Sequence, residues 1–363
     1  MPEPEPFKHW FNEARYRSIA DAIAPLAPRF DRKRFLQLTI DGLAERELMD
    51  RMRQTAIALG ATLPGDYRQQ LAVVLQFAPT IGHGFVGVAL GDFVARFGLD
   101  DPDVSLDALR KLTRHGSAEF AVRPFIVRDS DRTLSVMKAW ARNADEHVRR
   151  LASEGSRPRL PWGIRLAELV RDPSPTAPIL EQLKADPSLY VRKSVANHLN
   201  DITKDHPAWV VDRVTAWDRT DARTAWIVRH ALRTLIKQGH PGALALLGVG
   251  GAPKLRVDRF AATPARLKLG GRLTLEAKLT STARSEQRLA VDYVVHYVKA
   301  KGGTSAKIFK WKVVSLGPKA RLTLTKSQLV RDFTTRRHHA GKHRIELQIN
   351  GRRLAESGFV LTK

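Results

Sequence analysis

The sequence predicts two folds in series: a mainly α solenoid of paired helices over 1–250 and a small all-β sandwich over 254–363. Three observations carry this prediction. Apolar residues fall at helical spacing from Phe7 to about Leu247, which buries one stripe of each helix. The stretch Gly248-Val-Gly-Gly-Ala-Pro253 interrupts that pattern as a linker. Beyond it the apolar period changes from about 3.6 to about 2, the alternation of half-buried strands.

In the helical part, Arg32–Leu59 and Tyr67–Phe77 read as helices, separated by the break Leu63-Pro64-Gly65-Asp66. Three later segments repeat: His147-Val-Arg-Arg-Leu-Ala152, Tyr190-Val-Arg-Lys-Ser-Val-Ala196 and Ile227-Val-Arg-His-Ala-Leu232. Superposing Val148, Val191 and Val228 aligns Arg149, Arg192 and Arg229, at spacings of 43 and 37 residues. That is the period of HEAT-like helical pairs, which bury their apolar faces only by stacking on one another. In the second segment Val191, Val195, Leu199 and Ile202 make the expected buried stripe. Lys193, Asn197, Asn200, Asp201 and Lys204 are left on the opposite, concave face. Arg150 and Glu154 hold the positions of Lys193 and Asn197 in the first segment, so Glu154 and Asp201 are both expected on that face.

In the last part Leu267–Leu279, Leu289–Val298, Ile308–Leu316, Leu322–Leu324, His343–Ile349 and Leu354–Leu361 alternate or are β-branched. Turn signals such as Lys301-Gly-Gly-Thr304 and Asn350-Gly351 separate them. About seven short strands in this length suggest an antiparallel sandwich of immunoglobulin-like type, without its usual cysteine pair.

Composition narrows the function classes. No segment reaches the roughly 18 to 20 unbroken apolar residues of a membrane span. The N-terminus MPEPEPFKHWF is acidic and proline-rich, unlike a signal peptide. The absence of cysteine removes disulfides, thiol nucleophiles and zinc–thiolate sites, and fits a reducing cytosol. The net charge is +24, and from Lys254 onward 25 Lys and Arg stand against 7 Asp and Glu. A domain this basic attracts polyanions, nucleic acid first; an anionic membrane surface or an acidic protein would satisfy the same field.

The string Ser153-Glu-Gly-Ser-Arg-Pro-Arg-Leu-Pro-Trp162 stops the helical pattern, because proline lacks an N–H and clashes with the preceding turn. A loop carrying Arg157, Arg159 and Trp162 is thereby freed beside Glu154. Either it grips a sugar-phosphate backbone, or Arg157 or Arg159 pairs with Glu154 to hold a structural turn. Trp162 either stacks on sugar or packs beneath Glu154. Glu119 follows Ser117 at an expected helix start, where the helix dipole alone favours a carboxylate. Asp201 equally suits a surface pair with Lys204 or Lys193. Arg149, Arg192 and Arg229 suit an internal ladder with acids such as Asp145 and Asp186, or contacts to phosphate. Lys193, Asn197 and His198 are better placed to touch DNA. Trp140, Trp209, Trp217 and Trp226 read as core. Gly82-His-Gly84-Phe-Val-Gly87 matches a dinucleotide fingerprint literally but follows no strand, so its glycines are read as permitting close helix packing. His338, His339 and His343 lack the carboxylates of a metal site. With Arg336 and Arg337 they read as a basic loop that reaches a DNA groove.

Taken together these motifs resemble the AlkC-type DNA glycosylases of the alkylation-repair HEAT-like-repeat superfamily, relatives of the AlkD type. The resemblance spans nearly the whole chain. It is carried by Phe30-Asp31-Arg-Lys-Arg-Phe35, Arg114-His-Gly-Ser-Ala-Glu-Phe-Ala-Val-Arg-Pro124, the 153–162 string, Val191-Arg-Lys-Ser-Val-Ala-Asn-His-Leu-Asn-Asp201 and the immunoglobulin-like end. It implies excision of cationic alkylated bases, chiefly N3-methyladenine and N3-methylcytosine, from duplex DNA. It places three acids near the lesion's deoxyribose, at Glu119, Glu154 and Asp201 here, and implies that the base is not drawn into a protein pocket. A cationic base is already an activated leaving group. What remains is to stabilise oxocarbenium character and align a water, and fixed carboxylates do both. Glu119 and Asp201 are expected to do this, with Glu154 supporting or sharing the work. The expected partner is double-stranded DNA carrying alkylated bases, clamped from the other side by the sandwich. A cytosolic monomer is expected, with no cofactor, metal, membrane or obligate protein partner. The alternatives are a non-catalytic nucleic-acid scaffold and a protein-interaction adaptor.

Overall fold

The computed structural model describes residues 6–82, 84–333 and 336–363. The acidic start Met1–Glu5, His83 of the glycine string and Thr334-Thr335 of the basic loop lie outside the described residues. The chain packs as two compact units: Met1–His206 with Trp217–Ala231, and Pro207–Ala216 with Leu232–Lys363. The packing boundary therefore precedes the 248–253 linker, because the last short helices pack with the strands.

The first unit contains α1 (Glu13–Ile23), α2 (Arg32–Ile40), α3 (Leu48–Thr62), α4 (Tyr67–Ile81), α5 (Val88–Phe97), α6 (Pro102–Leu112), α7 (Arg123–Arg128), α8 (Ser130–Trp140), α9 (Glu146–Gly155), α10 (Ala167–Arg171), α11 (Ala177–Leu183), α12 (Leu189–Ile202) and α14 (Ala222–Ala231). The expected helix over 32–59 is two helices, since the chain turns at Gly42, whose φ of +70° disfavours any side chain. The break before α4 is as read: Asp66 and Gln69 form a reciprocal capping box. Helix α9 packs on α12 and α12 on α14, with α8 against α9 and α11 against α12. This is the stacking of helical pairs that the repeats predict. Val148, Val191, Val195, Leu199, Ile202 and Val228 are all buried. Val148 and Val191 are each the third residue of their helix, whereas Val228 is the seventh of α14. The third repeat is thus one turn out of register, and Arg229 lies exposed towards the helix end. Trp140 and Trp217 are core; Trp226 is only half-buried.

The second unit holds α13 (Pro207–Thr215), α15 (Arg233–Gln238), α16 (Pro241–Leu246) and eight strands. The half-buried Trp209 belongs to α13. The strands are β1 (Leu255–Thr263), β2 (Arg266–Lys268), β3 (Arg272–Ser281), β4 (Gln287–Val298), β5 (Thr304–Leu316), β6 (Arg321–Leu329), β7 (Gly341–Ile349) and β8 (Arg352–Thr362). They form sheets of order β1-β3-β6 and β2-β8-β7-β4-β5, antiparallel except for β2 beside β8. Alternate residues Leu273, Leu275, Ala277 and Leu279 of β3 point inward, as period-2 spacing requires. Strand β4 is buried on both faces, because Leu244 and Val249 cover Ala290 from outside the sandwich. Among the described residues no helix is long and apolar enough to cross a membrane.

Candidate active site

Three segments of the first unit bring charged side chains or Tyr190 to a cleft of about 490 Å³: the turn before α7, the end of α9 with its following loop, and the start of α12; Phe7, Trp10, Gly84, Phe85 and Val88 complete its wall. The turn carrying Glu119 is set by backbone contact. A Cβ on Gly87 would sit 2.2 Å from the His115 carbonyl oxygen, and one on Gly116 would sit 2.3 Å from the Gly87 carbonyl carbon. Gly87 thus packs against the loop that presents Ser117 and Glu119, and the Gly84 N–H donates to the His115 carbonyl at 3.0 Å.

Charge alternates through the site. Glu119 Oε2 accepts from the Ser117 hydroxyl and from Arg150 Nη1, each at 2.5 Å. Arg150 Nη2 lies 3.7 Å from Glu154, and its guanidinium covers the Tyr190 ring at 4.6 Å. Glu154 Oε1 accepts from Arg157 Nη1 and Oε2 from the Ser194 hydroxyl, each at 2.5 Å. Arg157 Nε donates to Asp201 Oδ2 at 2.8 Å, and Lys204 Nζ donates to Asp201 Oδ1 at 3.0 Å. The sequence Glu119–Arg150–Glu154–Arg157–Asp201 is therefore one continuous network. Burial alone would lower the pKa of both arginines, yet the flanking carboxylates carry each above its ordinary value. Burial also raises the Tyr190 phenol.

The loop after α9 is held from within by Arg123, which is fully buried. Its Nε donates to the Ile164 carbonyl at 2.7 Å, and its Nη1 donates to those of Gly155 and Arg157, each at 2.8 Å. Desolvation, with Arg157 nearby, pushes its pKa down to about 10, so it stays charged at neutral pH. His198 is also fully buried; its Nδ1 lies 3.0 Å from the Ser153 carbonyl. Burial depresses its pKa to about 3, and the ring is neutral.

Comparison with known proteins places the whole chain. A family model described as DNA alkylation repair enzyme matches residues 113–235, and one described as the C-terminal Ig-like domain of YhaZ matches 256–363. The uncharacterized protein YhaZ of Bacillus subtilis is 38% identical over 345 residues, covering 95% of this chain and 96% of that protein. The structure of Pseudomonas fluorescens alkylpurine DNA glycosylase AlkC, bound to DNA containing an abasic site analog, is 48% identical with a TM-score of 0.95. It covers 99% of this chain and 100% of that one. The chain belongs to the DNA alkylation repair enzyme family.

Within this alkylation repair enzyme the residues singled out from sequence separate into groups. Glu119 and Glu154 line the cleft, whereas Asp201 is buried behind Arg157 and does not. Asn200 and Asp201 are not on an exposed face, because α12 is enclosed by α9, α14 and the 155–164 loop. His198 is enclosed for the same reason, which corrects its reading as a DNA contact. Arg157 takes the pairing alternative: its guanidinium is buried between Glu154 and Asp201. Arg159 pairs with Asp205 through two hydrogen bonds at a half-exposed position. Arg149 forms the ladder alternative, gripping Asp186 and the carbonyls of Asn143 and Ala144. Arg192 repeats this at the next helix with the carbonyls of Asp186 and Pro187. Lys193 is exposed and Asn197 half-buried on α12. In the sandwich, Arg337 is exposed and Arg336 covers the Tyr297 ring at 4.4 Å. His338 is buried against Asp332, which corrects its reading as a DNA contact.

Sequence reasoning missed Arg123, Ser194 and Tyr190, and gave Ser117 and Arg150 no role in the site although it set Arg150 on the concave face. For Arg150 a signal existed: it precedes Glu154 by four residues, one helical turn. Arg123 carried none.

Proposed function

We propose that the chain is a DNA glycosylase that hydrolyses the N-glycosidic bond of cationic alkylated bases, N3-methyladenine and N3-methylcytosine, in duplex DNA. One observation carries the reading: two carboxylates, Glu119 and Glu154, face a single cleft and are fixed there by hydroxyl and guanidinium donors. The likeness to an alkylpurine DNA glycosylase bound to abasic DNA supports it.

Loss of the cationic base returns the bonding electrons to its ring and leaves it neutral, so no general acid is required. Positive charge moves onto the sugar, where prearranged carboxylates stabilise it without reorganising. Both hydrogen bonds to Glu119 end on Oε2. Its Oε1 is left to align a water against C1′ and accept the proton as the C–O bond forms. Glu154 supplies the second negative charge, and Asp201 acts through Arg157, holding that guanidinium away from the sugar. Trp162 and Phe7 are exposed at the cleft, so the site is a groove, which supports chemistry without enclosing the base. Exposed Lys193, Arg229 and Arg337, with the basic sandwich, supply phosphate contacts whose strength falls steeply with salt. A bacterial cytosol, beside the chromosome, is the setting of this reading.

The test is to incubate the purified chain with methylated genomic DNA and resolve the freed bases by chromatography. Wild type releases N3-methyladenine and N3-methylcytosine. Glu119→Gln lowers release about 100-fold or more, with abasic-DNA affinity within about threefold of wild type. No release by the wild type would overturn the reading.

A further inference from the structure

Six aromatic residues line the cleft beside the carboxylates, and four of them, from three distant segments, adjoin one another: Phe7 with Trp10, Phe85, and Trp162. Phe7 lies flat on Phe85, with centroids 5.6 Å apart and planes within 9°. Trp10 meets Phe7 edge-on at 5.3 Å, and Trp162 meets Phe85 edge-on at 6.2 Å. The rings form one strip, yet Phe7 is 50%, Trp10 39% and Trp162 66% exposed. Folding gains by burying rings of this size, and a contiguous apolar patch left open in a cleft marks a binding surface. Two devices hold the rings out. Trp162 takes a left-handed φ of +65°, an unfavourable conformation for a bulky residue. The segment carrying Phe7 and Trp10 is pinned by buried Arg51, whose Nη1 donates to the carbonyls of Lys8 and Phe11, each at 2.9 Å.

We infer that this strip is a stacking subsite for the planar face of a nucleobase left unstacked beside the reacting sugar. The location of that sugar rests on the glycosylase reading; the occupant follows from the chemistry of the strip. Flat apolar faces match a heteroaromatic ring and offer nothing to a phosphate, and such stacking tolerates any base. An intact duplex presents no free base face. The strip therefore separates DNA opened at a lesion from DNA that is closed.

The test uses the full chain and two duplexes, one with an abasic-site analogue beside 2-aminopurine and one intact. For Phe7→Ala with Trp10→Ala, affinity for the abasic duplex falls about ten- to a hundredfold. Quenching of 2-aminopurine is lost, and affinity for the intact duplex and its salt slope are unchanged. Trp10→Phe retains most of the discrimination. Trp162→Gly removes a ring while suiting the left-handed backbone, so it loses discrimination in a chain that stays folded. Equal losses on both duplexes, or undiminished abasic affinity in Trp162→Gly, overturn the subsite. A wild type that discriminates and quenches yet releases no base sinks the glycosylase reading and leaves the subsite standing.

Discussion

Arg149 and Arg150 are consecutive on α9, about 100° apart around its axis, and they do different things. Arg149 turns to the neighbouring repeat, where it grips Asp186 and two carbonyls at the start of its own helix. Arg192 copies those carbonyl contacts one repeat later. Arg150 turns to the cleft, where it bridges Glu119 and Glu154 beneath the Tyr190 ring. Both cations are largely buried and paired, so burial and ion pairing do not separate them. What separates them is whether the partner carboxylate belongs to the scaffold or opens onto a cleft. The ladder recurs at α9 and α12, whose helix starts align, and not at α14, where Arg229 lies near the helix end; the cleft network spans three elements and occurs once among the described residues.

Substitution of each arginine by methionine should break this comparison if it is wrong. Arg150→Met is expected to lower single-turnover base release about 100-fold, since Glu119 loses the donor that orients it. Arg149→Met is expected to destabilise the chain by about 3 kcal/mol in urea titration, because Asp186 is left buried without its cation. Its release per folded molecule should stay within about twofold of wild type, and equal kinetic losses in the two variants would erase the distinction.

A smaller effect is expected at Arg123, which joins scaffold and site. Arg123→Lys keeps the charge but loses the planar fork that reaches three carbonyls of the 155–164 segment. Release should fall about tenfold with substrate affinity little changed, and proteolytic nicking should appear within 155–164. Unaltered kinetics in a folded variant would make Arg123 a packing residue only.

The smallest effect concerns acid stability. His198 has a folded pKa of about 3, below its unfolded value near 6.5. Between those values the unfolded chain binds a proton that the folded chain refuses, so stability falls as pH drops from about 6.5 towards 3. His198→Asn should flatten that part of the profile measured by thermal unfolding, and an unchanged slope would show that His198 does not set it.

Much of this was legible before any coordinates. The helical pairs, most of the strands and the helix-breaking 153–162 string follow from period and from proline chemistry, which are local; β1 was not read, and 267–279 is two strands, β2 and β3. Glu154 was legible as an acid on the concave face and Glu119 through the resemblance, and both line the cleft. Of the glycines read as permitting close helix packing, Gly87 packs closely, against the loop before Glu119 rather than a helix, while Gly82 has nothing within 4 Å. The depth of Asp201 and His198 was not legible, because a single helical wheel assumes one buried face and α12 has neighbours on several. The 32–59 region read as unbroken helix, since Gly42 is tolerated in a helical pattern until its φ is known. Phe7 and Trp10 gave no warning, because three residues apart at the start of the helical pattern they read as part of one more buried stripe.

The sequence by itself determined where helical period gives way to strand period, where proline stops a helix and where positive charge accumulates, because these depend on residues within a few turns of one another. Only the tertiary structure decided which arginine neutralises which acid and which rings stay in solvent. Among those choices, Arg150 meets Glu119 and Arg157 meets Asp201 across 31 and 44 positions, at 2.5 and 2.8 Å, and no local pattern encodes so close a meeting of distant side chains.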